Sequence, residues 1–134
     1  MYARLSPFFP LIVAATFAAS GAASAANLPT RTTAAAAVTV TATPRPLTGA
    51  TWEFELSFNT HSSELTDDLV KSASLVVDGR KAYSPLAWQG DPPGGHHRSG
   101  VLQFKRITPQ PKSIELRITR GGEPKPRVFQ WTLK

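Results

Sequence analysis

The stretch Thr51-Trp52-Glu53-Phe54-Glu55-Leu56-Ser57-Phe58 decides the fold. In an extended chain Trp52, Phe54, Leu56 and Phe58 project to one side, and Glu53, Glu55 and Ser57 to the other. An apolar period of two, carried by aromatic residues, marks a half-buried β-strand. The same alternation recurs outward from it. Val38, Val40 and Ala42 precede it, while Leu102 with Phe104, then Ile114, Leu116 and Ile118, then Phe129, Trp131 and Leu133 follow. Weaker strands are expected over 73–77 and 82–88. Trp52 and Trp131 lie on the apolar side of their strands, which points to core packing rather than to a ligand-stacking surface.

Turn chemistry separates these runs. Pro44 and Pro46 close the first, Asp78-Gly79 suits a tight hairpin, Pro109 and Pro111 stop a strand, and Gly121-Gly122 opens the last hairpin. The one helical candidate is 63–72, where Leu65 and Leu69 are spaced i,i+4 and Ser63 is placed to cap; it is so short that a turn or an ordered loop is the alternative. Seven short strands with turns at this spacing predict a seven-stranded antiparallel sandwich of immunoglobulin-like type over 37–134.

The N-terminus reads differently. Arg4 precedes an apolar run over 8–19, followed by small residues including Ala23-Ser24-Ala25. The run is shorter than the roughly 20 residues of a membrane span, and the three-part pattern is that of a cleaved signal peptide over 1–26. The expected location is periplasmic or secreted, with no membrane span after cleavage. What remains is about 108 residues, the size of one domain. Its first part, 27–36, is small and polar and is expected to be a flexible lead-in. The chain has no cysteine, so neither disulfides nor thiolate chemistry is available to it.

The formal charge is +6, unevenly spread. Residues 52–91 hold three basic against seven acidic side chains, whereas 98–134 hold nine basic against two. The functional reading is a basic face for an anionic partner; the aromatics do not interleave with the basic residues as on an RNA-binding sheet, so the basic excess reads first as solubility and cross-strand pairing, with no nucleic-acid partner.

All three histidines follow strands: His61 after 51–60, and His96 and His97 before Leu102. If consecutive strands alternate in direction, the loops holding them meet at one pole, together with the Gly121-Gly122 loop and with Asp67, Asp68, Asp91 and Glu123. Imidazoles beside carboxylates suggest a site for Cu2+ or Zn2+ with His61, His96 and His97 as ligands. Against it, no H-E-x-x-H spacing occurs, and adjacent histidines point apart in an extended chain. The alternative is that one histidine bonds a loop carbonyl and another is solvated, leaving a structural or interaction module that binds an envelope protein. Ser62, Ser63 and Ser99 lie near histidines, but no G-x-S-x-G turn is present, so no catalytic residue and no enzymatic activity is assigned.

Asn59-Thr60-His61-Ser62, the Leu-x-x-Asp-Leu pattern over 65–69, Gly94-Gly95-His96-His97-Arg98-Ser99-Gly100-Val101-Leu102, and the ending Arg127-Val128-Phe129-Gln130-Trp131 together resemble an uncharacterised family of small exported prokaryotic β-proteins. The resemblance implies that His61 and the His96–His97 pair belong to one pattern. It implies no activity and no particular metal.

Overall fold

The computed structural model describes residues 27–133, so the expected leader, 1–26, lies outside the described residues. Nine strands and one short helix occur among them: β1 (Arg31–Ala35), β2 (Val38–Pro44), β3 (Thr51–Thr60), α1 (Leu69–Ser72), β4 (Ala73–Val77), β5 (Lys81–Tyr83), β6 (Ala87–Gly90), β7 (His97–Lys105), β8 (Ser113–Ile118) and β9 (Arg127–Thr132). They form two antiparallel sheets, one in the order β1-β2-β3-β7-β6 and one in the order β5-β4-β8-β9. The all-β architecture is consistent with a β-sandwich.

The core is built from the alternating faces. Trp52, Phe54, Leu56 and Phe58 of β3 are buried, as are Val38, Val40 and Ala42 of β2, Leu102 and Phe104 of β7, Ile114, Leu116 and Ile118 of β8, and Phe129 and Trp131 of β9. Phe54 meets Phe104 edge-on at 5.6 Å and 89°, and lies 5.7 Å from the Trp131 ring across the core. Each aromatic removed from water in this way contributes about 1.5–3 kcal/mol. Trp52 and Trp131 are thus core residues.

Three expectations require correction. The lead-in carries a strand, since β1 pairs with β2 along its whole length, from Arg31 opposite Ala42 to Ala35 opposite Val38. None of its residues is buried, so no apolar period announces it. Backbone pairing holds it, together with bonds from the other sheet: Arg31 Nε donates to Gln130 O at 3.2 Å, and Trp131 Nε1 to Pro29 O at 2.7 Å. The single strand expected over 82–88 is two, with β5 in one sheet and β6 in the other. Pro85, which has no N–H to give a ladder, lies between them. Of the candidate helix over 63–72, only the last turn is helical and the rest is its alternative, an ordered loop; the cap is Asp68 rather than Ser63. Leu65 donates to Gly95 O at 3.0 Å and accepts from Gly94 N at 2.8 Å, so its backbone groups are committed to a neighbouring loop.

Candidate functional site

The strand order places the end of β3, the end of β8 and the start of β7 at one pole, as alternation predicts. The loops there are joined by backbone bonds. Thr60 N donates to His96 O at 2.9 Å, the Leu65 backbone bonds the Gly94–Gly95 turn, and Thr119 N donates to Ser72 O at 2.8 Å. Gly94 and Gly95 have φ of 119° and 74°, a conformation L side chains rarely adopt.

Three arginines bind these loops to one another, and all three are buried. Arg98, 4% exposed, donates to the backbone carbonyls of Asp67 and Asp91, and its guanidinium lies 5.3 Å from the Trp88 ring centre. Arg120, 9% exposed, donates to Asp67 at 2.9 Å and to Glu123 at 2.8 Å. Arg127, 4% exposed, has the fullest set of partners. Its Nε donates to Glu123 at 2.6 Å, Nη1 to Thr33 Oγ1 at 3.0 Å and Val38 O at 3.1 Å, and Nη2 to Ala35 O at 2.7 Å and Glu123 at 3.1 Å. One guanidinium therefore ties the β1–β2 turn to the β8–β9 connection. Burial opposes ionisation of Glu123, but hydrogen bonds and positive charge from Arg127 and Arg120 outweigh it and hold the carboxyl below its ordinary value. Burial likewise works against the charge of Arg120, and Asp67 and Glu123 overcome it, so its pKa is raised.

The arginines have a sequence signature that the charge reading passed over. Arg98 shares the parity of Leu102 and Phe104, Arg120 that of Ile114, Leu116 and Ile118, and Arg127 that of Phe129 and Trp131. Each stands at a strand end on the core-facing period, where its stem packs inward and its head meets the loops.

The histidines are placed otherwise than expected. His97 lies opposite Asn59 on the outer face of the five-stranded sheet, with Nδ1 2.6 Å from Asn59 Oδ1. His96 lies in the bend before β7, exposed, with its carbonyl accepting from Thr60 N. His61 lines a shallow depression with Ala34, Ala35 and Thr39, on the β1–β2 side of β3. All three are exposed. Among the described residues, no group of three or more His, Cys, Asp or Glu side chains is arranged to hold a metal ion. The three-histidine set for Cu2+ or Zn2+ is therefore not assembled here. The carboxylates of the pole have other partners: Asp67 and Glu123 hold arginines, Asp91 accepts from Ser99 N at 2.9 Å, and Asp68 caps α1. No serine hydroxyl is hydrogen-bonded to a histidine among the described residues.

What the pole does present is an open cleft of about 730 Å3 between the β1–β2 turn, the β3–β4 connection and the β8–β9 loop. Asp67, Arg120 and Glu123 line its interior, and Glu64, Asp68 and Lys71 are its exposed charges. Ser72 Oγ is buried in its wall without a hydrogen-bond partner among the described residues.

The Gly-Gly-His-His-Arg-Ser-Gly segment has an architectural role in this setting. Its first two glycines make the turn that Leu65 bonds, and Arg98 anchors Asp67. Gly100 faces Gly90 across the β6–β7 ladder, with the Trp88 ring packed on the pair. A Cβ on Gly100 would come within 2.6 Å of Gly90 Cα and 2.7 Å of Gln89 O.

Compared with known proteins, the chain matches no family model, no curated protein and no solved structure. Among the described residues no helix is long and apolar enough to cross a membrane.

Proposed function

We propose that this protein is an exported, non-enzymatic immunoglobulin-like β-sandwich of the periplasm or extracellular medium, whose cleft pole binds a protein of the cell envelope. The observation that carries the reading is the cleft with its buried Asp67–Arg120–Glu123–Arg127 chain. Charged groups buried at a loop-built end fix the loops relative to the sheets, and loops held by a rigid scaffold are where sandwich domains carry recognition. A surface ordered before binding loses less entropy on binding. The exposed carboxylates of Glu64 and Asp68 suit a partner segment that brings a basic side chain.

The test is Glu64→Lys with Asp68→Asn, which removes both exposed carboxylates, keeps a side-chain oxygen to cap α1, and touches neither the arginines nor the core. The reading expects one stoichiometric partner recovered from solubilised envelopes by the wild-type protein, and its loss in the variant at an unchanged melting temperature. Recovery of the same partner by the variant, or of none by the wild type, overturns it. Calorimetric titration with Zn2+ and Cu2+ separates it from a metal-binding role. A one-to-one heat abolished by His61→Ala would show that the histidines, and not the cleft, carry the function.

A further inference from the structure

The opposite pole has a different character. It is formed by the β2–β3, β4–β5 and β7–β8 connections, which bond to one another and to the end of the chain. Arg106 N donates to Ala50 O, Asp78 N to Ser113 O, and Leu133 N to Lys112 O. Five exposed cations stand on these connections and the adjoining strand ends: Arg80, Lys81, Lys105, Arg106 and Lys112. Among the described residues none of the five takes part in an ion pair, whereas Arg45, Arg117, Arg120 and Arg127 all do. Cross-strand pairing therefore does not account for this part of the basic excess. Asp78 is the one carboxylate on the same connections, and its Oδ1 is occupied by the N–H groups of Lys112 and Ser113.

The chain also enters the fold from this end. β1 begins with Arg31 opposite Ala42 and runs away from the basic pole to Ala35 opposite Val38. Pro29 lies against Trp131, near the end of β9. The described residues therefore begin at this end, and on the reading of 1–26 as a cleaved export leader, cleavage adds a positive α-amine here.

We infer that the basic pole docks this protein on an anionic lipid surface, with the cleft at the opposite pole facing away from the bilayer. The chemistry favours a lipid surface over other polyanions. The cations are spread over two connections and two strand ends, and neither the cleft nor the depression at His61 includes any of them. Tyr83, beside Lys81 on β5, has the Lys81 ammonium over its ring at 5.0 Å, so that face is already engaged and not open for stacking on bases or sugars. Leu86, 58% exposed and bonded through its N–H to Gln103 O near the end of β7, adds an apolar contact on the same side. Dispersed cations with one exposed apolar side chain match a planar, diffuse negative surface. This inference does not depend on what occupies the cleft.

The experiment is co-sedimentation of the protein, with its N-terminus as the cell leaves it, with phosphatidylcholine vesicles containing or lacking phosphatidylglycerol. Binding is expected only to the phosphatidylglycerol vesicles, and is expected to vanish at about 1 M salt, where the screening length falls to about 3 Å. Each neutralised cation should weaken binding roughly fivefold, so Lys105→Gln with Lys112→Gln costs roughly 25-fold. The control pair Lys71→Gln with Lys125→Gln, at the cleft pole, should leave binding unchanged. All four are exposed side chains, and thermal melts of both variants confirm that they fold. Equal binding to neutral vesicles, equal loss in the control pair, or retention on soluble polyphosphate with no binding to vesicles would overturn the inference.

Discussion

Replacing Arg127 with methionine removes a side chain that ties both sheets and two loops together. The guanidinium is 4% exposed and gives hydrogen bonds to both carboxylate oxygens of Glu123, to Thr33, and to the carbonyls of Ala35 and Val38. Methionine preserves most of the stem packing and none of the donors. Glu123 would keep Arg120 alone, and the Ala35 and Val38 carbonyls would lose their donor from β9. Removing one partner of a buried ion pair costs about 3–5 kcal/mol, against a total of about 5–15 kcal/mol for a domain of this size. Arg117→Met serves as the comparison, because Arg117 also pairs with a glutamate, Glu115, but is 47% exposed. Exposed pairs contribute less than about 1 kcal/mol. Urea unfolding followed by tryptophan fluorescence measures both variants, and amide exchange reports on β1 separately. Arg127→Met is expected to lower the unfolding free energy by about 3–5 kcal/mol and to speed exchange at Arg31–Ala35 more than in β8. A loss no larger than that of Arg117→Met, with β1 exchanging as in the wild type, would refute the account of the arginine as a tie.

Gly100→Ala should destabilise by at least about 1–3 kcal/mol, as overpacking does. Its new Cβ meets backbone at 2.6 and 2.7 Å, and a shift in Trp88 fluorescence checks that the strain is local to β6 and β7. Glu123 has a folded pKa below its ordinary value of 4.5, so its contribution is complete at pH above that value and is lost as pH falls through the folded pKa. Urea midpoints measured across the acid range should fall steeply for the wild type and less steeply for Glu123→Gln, and an identical slope would contradict this. Ser72→Ala removes a buried hydroxyl that has no partner among the described residues, so the melting temperature should hold or rise.

The sheets were legible because β2, β3, β8 and β9 each present an uninterrupted apolar period of two on one face. β1 was not legible, since an exposed edge strand of threonine and alanine carries no such period and is defined by partners distant in sequence. The division into β5 and β6 was hidden because a local pattern reports that residues are extended, not which sheet they join. The meeting of His61 with the His96–His97 loop followed from strand direction alone. The directions of their side chains did not, as those depend on Asn59 and on the turn at Gly94–Gly95. Arg98, Arg120 and Arg127 were in plain sight at core parity, but a charged residue at a strand end is read by default as solvated. Their burial emerges only once Asp67, Glu123 and the loop carbonyls are brought to the same pole.

The central claim, that recognition occurs at the cleft pole, is tested most directly by photo-cross-linking in living cells from single positions on the folded protein. A photoreactive residue at Glu64 on the cleft rim is compared with one at Gln103 on the open sheet face. The account expects a discrete adduct of one size from position 64, abolished by Asp68→Asn, and none from position 103. Adducts of the same size from position 103, or none from position 64 in cells where the protein is folded and abundant, would contradict it.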